Sequence, residues 1–244
     1  MVVLKPVVIN KPYILTSIER STRDVITFRF ESQEKKEVHF IPGMFAMLTY
    51  KDPETGKSIS RAFSIANAPP SDYFEFFIAM INGQLTSKLA NAKVNDVYYI
   101  SAPYGQFQFD MDAGEKFLFL AGGTGVAPFF SMLRQAKSSD KKLDCAMLYS
   151  VKYPYDIVEK TELDTFEKEM GAKTFVTVTR PAEGDGWTGQ TGRVNGEMIK
   201  KYVPDFMDRI TYICGPPAFV TALKNDLTAM GVPEREIRAE MWGE

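Results

Sequence analysis

The first half of the chain alternates hydrophobic and polar residues over short stretches, a pattern that predicts β-strands. Six such stretches are rich in aromatic and β-branched residues and are separated by turns with Gly, Pro, Asn or Asp. They read YILTSIER, DVITFRFE, MFAMLTY, RAFSIAN, YFEFFIAMI and DVYYISA. One helical segment, from Leu85 to Ala92, interrupts them. Short strands at this spacing predict an antiparallel barrel or a sandwich.

The pattern changes near residues 111–115. KFLFLAG is a continuous apolar strand that runs into glycines and then into a helix, VAPFFSMLRQAK. Further strands follow as DCAMLYS, TFVTVTR, ITYICG and EIRAEMW, with helices at YDIVEKTELDTFEKEM and AFVTALKNDLTAM. Alternating strands and helices with apolar strands predict a doubly wound parallel sheet. We therefore predict two domains, an antiparallel β-barrel over residues 1–111 and an α/β domain over residues 112–244.

Composition narrows the possible functions. The 244 residues include 45% hydrophobic residues, enough for a packed core. The formal net charge of −2 gives general nucleic-acid binding no electrostatic support. No apolar run approaches the roughly 20 residues of a membrane span, and the N-terminus lacks the long apolar segment of a signal peptide. We expect a soluble, cytoplasmic protein.

The metal-ligating residues are few. The chain has two cysteines, Cys145 and Cys214, and one histidine, His39. Two separated thiols cannot hold an iron–sulfur cluster or a Cys-rich zinc site, and one histidine cannot build a multi-His site. We expect no metal, so redox chemistry would need an organic cofactor.

A glycine-rich stretch, LAGGTGVAPF, lies where a strand passes into a helix. Gly122, Gly123 and Gly125 would let backbone amides approach a phosphate at a helix N-terminus, and Pro128 suits a first helical turn. The stretch does not fit GxGxxG, because Pro128 stands where the third glycine belongs, and it lacks the GK[ST] ending of a P-loop. Taken alone, it is either a phosphate loop or a tight turn without a ligand.

Three other stretches are equally ambiguous alone. In INGQLTSKLA, the amides of Leu85, Thr86 and Ser87 could bind an anion or simply begin a capped helix. In SRAFSIANAP, Arg61 and Phe63 point to one side of a strand and Ser64 to the other, so Arg61 is either a phosphate partner or a surface charge. In YICGPPAF, Cys214 ends a strand where α/β sheets bind ligands, but it could be a structural cysteine.

The order of these motifs along the chain is informative. RAFS, GQLT, GGTGVAP and CGPP follow one another as in the ferredoxin–NADP reductase superfamily, which the chain resembles from about Lys11 to Glu244. The resemblance is strongest to the reductase modules of flavohaemoglobins and to oxygenase reductases. It implies that the barrel binds FAD and that the α/β domain binds NADPH or NADH.

The resemblance also implies residue roles. Arg61 would pair with the flavin diphosphate, Phe63 would pack on the flavin ring, and Ser64 would hydrogen-bond near the nitrogen that accepts hydride. Cys214 would lie near the hydride-donating carbon of the coenzyme. Phe63 stands where the family more often has a tyrosine, so the hydroxyl of that tyrosine is missing here. Ser64, Cys214 and Trp242 are the implied catalytic residues. The implied cofactor-binding residues are Arg61, Ala62, Phe63, Ser64, Ile78, Met80, Gly83, Gln84, Leu85, Thr86, Gly123, Thr124, Gly125, Pro128, Ser150, Thr179, Arg180, Cys214, Gly215, Pro216 and Trp242.

Two further expectations concern the coenzyme. Ser150, Lys152, Thr179 and Arg180 occupy strand ends where a 2′-phosphate could bind, and they favour NADPH slightly over NADH. MWGE resembles the Phe-Gly ending of flavohaemoglobins, so Trp242 is expected to cover the flavin and move aside for the coenzyme. The alternative is that Trp242 only anchors the last strand.

The resulting functional prediction is an FAD-dependent NAD(P)H oxidoreductase. Hydride would pass from nicotinamide to flavin, and single electrons would then pass to a separate acceptor protein, such as a ferredoxin or an oxygenase component. A separate acceptor is expected because the sequence has neither the cysteines nor the length for a fused ferredoxin or globin. The alternatives are a free-flavin or ferric reductase and a flavin-binding subunit without turnover.

Overall fold

The computed structural model describes residues 6–139, 141 and 143–242, which form two compact units. The first unit contains the chain up to Phe109 together with Ala127–Gln135. The second contains Asp110–Val126 and the chain from Ala136 onward. Each unit is built on one six-stranded sheet.

The sheet of the first unit is antiparallel, as predicted. Its strands are β1 (Val8–Arg20), β2 (Val25–Ser32), β3 (Phe45–Lys51), β4 (Ser58–Ser64), β5 (Tyr73–Ala79) and β6 (Val97–Tyr104), with helix α1 (Gln84–Leu89) after β5. The strand order is β4-β3-β6-β1-β2-β5. Aromatic residues that alternate along β2 and β5 fill the interior, among them Phe28, Phe30, Phe74 and Phe76, all with 0% exposure.

One curled sheet, rather than the two sheets of a sandwich, forms this unit. The edge strands β4 and β5 are in contact, and just beyond β4 the amide of Ala66 donates to the carbonyl of Glu75 at 2.9 Å. The barrel prediction is therefore confirmed in the form of a partly closed sheet. β4 starts at Ser58, earlier than predicted, because residues 58–64 pair continuously with β3.

The sheet of the second unit is parallel, again as predicted. Its strands are β7 (Lys116–Gly122), β8 (Asp144–Val151), β9 (Lys173–Val178), β10 (Gln190–Thr191), β11 (Ile210–Gly215) and β12 (Ile237–Met241). The helices are α2 (Ala127–Ser138), α3 (Lys160–Met170), α4 (Gly196–Tyr202) and α5 (Pro217–Ala229). The order β10-β9-β8-β7-β11-β12 starts at β7 and winds outward in both directions. The switch point, where such sheets bind ligands, therefore lies between the carboxyl ends of β7 and β11.

Other details of the second unit also differ from the sequence prediction. Helix α3 begins at Lys160 rather than near Tyr155, because Pro154–Asp156 forms a 3-10 turn and Glu159 has a positive φ of 47°. Strand β10 and helix α4 were not predicted. Helix α4 is short and depends on a cap, since the Asn195 side chain accepts a hydrogen bond from the Met198 amide at 3.0 Å.

Helix α2 packs within the first unit along most of its length. The Ser131 hydroxyl donates to the carbonyl of Asn67 at 2.7 Å, and Arg134 pairs with Glu75 at 2.6 Å. The prediction that the functional domains span residues 1–111 and 112–244 stays a prediction. Of the helices in the described ranges, none combines the length and the apolar character needed to cross a membrane.

Candidate flavin and coenzyme sites

Strand β4, at the edge of the first sheet, carries the RAFS motif. Arg61 lies opposite Leu48, Phe63 opposite Ala46 and Ser64 opposite Phe45 on β3. Arg61 is exposed, and its guanidinium donates to the carbonyl of Ser60 at 2.8 Å. Within the described part of the chain, no carboxylate forms an ion pair with it. The strand therefore presents a cation that is available to an anionic ligand.

The neighbouring residues separate into interior and surface positions. The Phe63 ring is half-buried, with its centroid 6.0 Å from that of Phe76. Ala62 is exposed. On β5, Ile78 is buried, whereas Met80, just beyond the strand, is only partly so. The ring of Phe63 thus has one side against the core.

Helix α1 contacts β4, which brings the GQLT motif next to the RAFS strand. The Thr86 hydroxyl accepts a hydrogen bond from the Gly83 amide at 3.0 Å and donates to the carbonyl of Ile81. The Thr86 side chain therefore caps the helix, and the buried Leu85 side chain packs into the hydrophobic core. The first helical amides, of Gln84, Leu85 and Thr86, precede the first hydrogen bond of the helix, from Ser87 to the Gly83 carbonyl. Any contact of Leu85 and Thr86 with a ligand would use these amides.

The glycine loop lies at the carboxyl end of β7, at the switch point. Gly123 is exposed, has a positive φ of 56°, and a Cβ there would meet no atom within 4 Å. Gly125 is the opposite case, because a Cβ there would lie 2.4 Å from the carbonyl oxygen of Cys214. Thr124 is partly exposed, while Pro128 is buried in the first turn of α2. The loop is open on one side and in backbone contact with β11 on the other.

Cys214 and Gly215 end strand β11, and Pro216 precedes helix α5. The Cys214 side chain is buried, and burial, together with the nearby charge of Glu240, raises the pKa of its thiol well above the ordinary value. The thiol is therefore protonated at neutral pH.

Glu240 was not singled out by sequence reasoning. It lies opposite Cys214 in the pairing of β11 with β12, and burial raises the pKa of its carboxyl from 4.5 to about 7. A carboxyl that titrates near neutral pH beside a candidate site is a functional candidate. The sequence signal was available, since an acidic residue interrupts the last strand two residues before Trp242.

Trp242 follows β12 directly. Its amide donates to the carbonyl of Gly215 at 3.2 Å, and its side chain is 40% exposed. The backbone of Trp242 is thus tied to the CGPP motif, while much of the indole faces solvent.

The strand ends of β8 and β9 bring the remaining candidates together. The Arg180 amide donates to the carbonyl of Lys152 at 2.8 Å, and the Thr179 amide donates to the carbonyl of Val151 at 2.9 Å. Lys152 and Arg180 are both exposed, and neither pairs with a carboxylate among the described residues. Ser150 is buried, with 9% exposure. Two exposed cationic residues with adjacent backbones at this edge suit an anionic group.

These residues fit the cofactors of the family. Arg61 is an exposed cation on a strand that helix α1 contacts, which suits a flavin diphosphate. The glycine loop at the switch point is open at Gly123, where backbone can approach a dinucleotide. No group of metal-ligating side chains occurs in the ranges that the structure covers.

Comparison with known proteins gives matching family models in both halves. Residues 12–109 match the oxidoreductase FAD-binding domain, and residues 119–225 match the oxidoreductase NAD-binding domain. The glycine betaine monooxygenase reductase subunit of Pseudomonas aeruginosa is 28% identical over 228 residues, which are 92% of this chain and 62% of that protein. The chain therefore spans less than two thirds of that relative.

Solved structures show the same fold. The flavohem-like FAD/NAD-binding domain of nitric oxide dioxygenase from Vibrio cholerae O1 biovar El Tor matches with a TM-score of 0.86 at 17% identity, over 96% of this chain and 99% of that one. A ferredoxin–NADP⁺ reductase from Neisseria gonorrhoeae with bound FAD and NADP matches with a TM-score of 0.80 at 22% identity, over 95% and 98%.

An antiparallel FAD-binding sheet and a parallel NAD-binding sheet in one chain define a flavin-dependent oxidoreductase. The chain combines the oxidoreductase FAD-binding and NAD-binding domain families, and it has the fold of the ferredoxin–NADP reductases that its motifs predicted. FAD and a nicotinamide coenzyme are the cofactors of its two domains.

Proposed function

We propose that this protein is an NAD(P)H-dependent electron-transfer reductase that delivers single electrons to a separate protein. The observation that carries the proposal is the placement of Cys214 at the switch point of the NAD-binding domain, in backbone contact with the glycine loop. FAD, when bound, supplies the exchange between a two-electron hydride donor and a one-electron acceptor. The protein supplies binding, orientation and proton control.

In the domain over residues 1–111, Arg61 binds the flavin diphosphate through a charge-assisted hydrogen bond. The amides of Gln84, Leu85 and Thr86 bind the same diphosphate, and Gly83 starts the turn that presents them. Phe63 packs one face of the flavin ring, with Ala62, Ile78 and Met80 as neighbours. Ser64 donates a hydrogen bond at the reactive edge of the ring.

In the domain over residues 112–244, the amides of Gly123, Thr124 and Gly125 hold the coenzyme diphosphate, and Pro128 fixes the start of the helix behind them. Gly215 and Pro216, which follow Cys214 directly, lie beside the nicotinamide. Cys214 orients the nicotinamide as a compact neutral thiol, because its raised pKa keeps it protonated. Trp242 covers the flavin ring in the resting enzyme and moves when the coenzyme enters.

The proposed coenzyme is NADPH. Lys152 and Arg180 form the 2′-phosphate site together with Ser150 and Thr179, since the hydrogen bond from the Arg180 amide to the Lys152 carbonyl places the backbones of the two cationic residues side by side. The kinetic preference for NADPH over NADH tests this. Arg180→Ala should reduce that preference, and a preference for NADH that the substitution leaves unaltered would refute the assignment.

The acceptor is proposed from the kind of protein that the chain resembles. The Pseudomonas aeruginosa relative is named as the reductase subunit of a monooxygenase, which supports an oxygenase component or a ferredoxin as acceptor. A free-flavin or ferric reductase would use flavin as a substrate and would lose it on purification. A non-catalytic flavin subunit would bind both nucleotides but would not oxidise NAD(P)H.

One set of measurements separates these functions. The purified protein should be yellow, with about one FAD per chain and no stoichiometric iron, and should oxidise NAD(P)H with an artificial one-electron acceptor. Pull-down from a native extract, followed by reduction assays on the captured proteins, then identifies the acceptor. A colourless protein, or one with iron–sulfur absorbance, would overturn the proposal.

A further inference from the structure

We propose that Gly125 is a positioning residue that holds Cys214, and through Gly215 the backbone of Trp242, in place. This inference rests on the proposed function for its catalytic consequence, but its structural part can be tested without catalysis. The resemblance assigned Gly125 to phosphate binding. The contacts assign it a second task on the opposite side of the loop.

The evidence is a backbone-to-backbone contact between two chain segments. A Cβ on Gly125 would lie 2.4 Å from the carbonyl oxygen, 2.7 Å from the carbonyl carbon of Cys214 and 2.9 Å from the Cα of Gly215. All three atoms belong to the main chain of β11, which is hydrogen-bonded between β7 and β12 and cannot turn aside as a side chain can. Any residue larger than glycine at position 125 must therefore move the end of β11 or the loop itself.

The same strand end carries the other groups near the proposed hydride path. The Gly215 carbonyl accepts a hydrogen bond from the amide of Trp242, and Cys214 lies opposite Glu240 in the register of β11 and β12. A shift of the Cys214–Gly215 backbone would therefore move the thiol and the residue that we place over the flavin. Reaction rates are sensitive to such displacements, because hydride transfer requires close alignment.

The other glycines at this junction differ, which gives matched controls. A Cβ on Gly123 would meet nothing within 4 Å, although the residue has a φ of +56°. A Cβ on Gly215 would lie 2.8 Å from Cδ1 of the Phe219 side chain and 3.3 Å from the backbone N and Cα of Gly122. A smaller side chain at position 219 can relieve the shortest contact at Gly215, but no side-chain change can relieve the contacts at Gly125.

The first test uses thiol labelling of the flavin-loaded protein with an aromatic disulfide reagent that releases a coloured thiolate. Cys145→Ser leaves Cys214 as the only thiol, and Cys214→Ser leaves Cys145, which is also buried, as a reporter of general opening. Gly125→Ala should increase the labelling rate of Cys214 about tenfold and that of Cys145 less than about twofold. Gly123→Ala should leave the ratio of the two rates unchanged.

Equal increases at both cysteines would show general destabilisation and would overturn the proposal, as would no increase at either.

The second test is stopped-flow reduction of the bound flavin at saturating coenzyme. Gly125→Ala should lower the limiting rate more than it weakens coenzyme binding. Phe219→Leu should partly restore the rate of Gly215→Ala but should not restore that of Gly125→Ala. If the coenzyme failed to reduce the flavin of the wild-type protein, the proposed function would be contradicted. The positioning of Cys214 by Gly125 would still be supported if Gly125→Ala changed the labelling of Cys214 selectively.

Discussion

At the scale of single residues, the sites combine groups whose usual partners are missing. Arg61 has no carboxylate partner in the described ranges, and Glu240 is a carboxyl with a pKa of about 7. Glycine at position 125 is required by the backbone of a neighbouring strand. Such local exceptions to the rules of stable folding are typical of ligand sites, because the ligand supplies what the protein lacks.

Arg61→Ala should weaken FAD binding. A charge-assisted hydrogen bond to phosphate contributes about 1.5–3 kcal/mol, so the dissociation constant should rise about 10- to 150-fold. Fluorescence titration of the apoprotein with FAD measures it. Lys57→Ala, which removes an exposed cation just before the same strand, is the control and should have little effect. Equal effects of the two substitutions would remove Arg61 from the diphosphate site.

Glu240→Gln should change how stability depends on pH. The folded protein raises the pKa of this carboxyl from 4.5 to about 7, so between these values the folded state holds a proton that the unfolded state has lost. Stability therefore falls as pH rises through that window. The melting temperature of Glu240→Gln relative to wild type should increase between about pH 5 and pH 8. Glu234→Gln, at an exposed carboxyl, is the control and should show no such trend. If the melting-temperature difference from wild type were independent of pH for both variants, the raised pKa of Glu240 would be refuted.

Trp242→Ala should tighten coenzyme binding, strengthen the charge-transfer band and relax the preference for the 2′-phosphate. In the proposed resting state the Trp242 indole stacks on the flavin ring. Such stacking contributes about 0.5–1.5 kcal/mol beyond burial, and the coenzyme would have to displace the indole. Coenzyme titration and a melting curve are the measurements, with the exposed neighbour Met241→Ala as control. Earlier melting with unchanged coenzyme affinity would identify Trp242 as an anchor of β12.

At the scale of elements, the two ends of the parallel sheet have different tasks. The carboxyl ends of the strands carry the glycine loop and the candidate cations. The amino ends are tied together by Arg209, which is 8% exposed and bonds the carbonyl of Phe117 on β7, Asp144 on β8 and the side chain of Asp205. This ion cluster holds the pKa of the Asp205 carboxyl down at about 2. It stabilises the sheet far from the site.

Arg209→Ala should lower the free energy of unfolding by about 1.5–3 kcal/mol, because it removes the buried charged donor to the carbonyls of Phe117 and Asp144. Lys116→Ala, which removes the more exposed partner of the same Asp205, should cost no more than about 1 kcal/mol. Urea unfolding with FAD present measures both. Equal losses of unfolding free energy in the two variants would mean that burial of the Arg209 guanidinium does not determine how much it stabilises the protein.

At the scale of the whole molecule, ligand binding and stability are linked. A ligand that binds only the folded state stabilises it by about 2.7 kcal/mol at a hundred times its dissociation constant. FAD should therefore raise the melting temperature of the apoprotein with increasing concentration. Riboflavin, which lacks the diphosphate that Arg61 and the α1 amides would bind, should raise it much less. Equal shifts with both flavins would favour the free-flavin reductase.

The sequence alone determined the fold class, because periodicity is a local property. Alternation with period two and aromatic content identified all six strands of the first sheet, and continuous apolar strands followed by helices identified the parallel sheet. The order of RAFS, GQLT, GGTGVAP and CGPP identified the family. Helix α4 was not predicted, because seven residues with a side-chain cap carry too little periodic signal.

Tertiary structure decided what depends on contacts between distant parts of the chain. Cys214 and Glu240 became neighbours only when β12 paired with β11, and that burial raises the pKa of the Glu240 carboxyl to about 7. The backbones of Lys152 and Arg180 are adjacent only because strands β8 and β9 pair. Gly125 looked like any loop glycine until the end of β11 closed against it. Desolvation and close approach arise from packing, which a single sequence does not display.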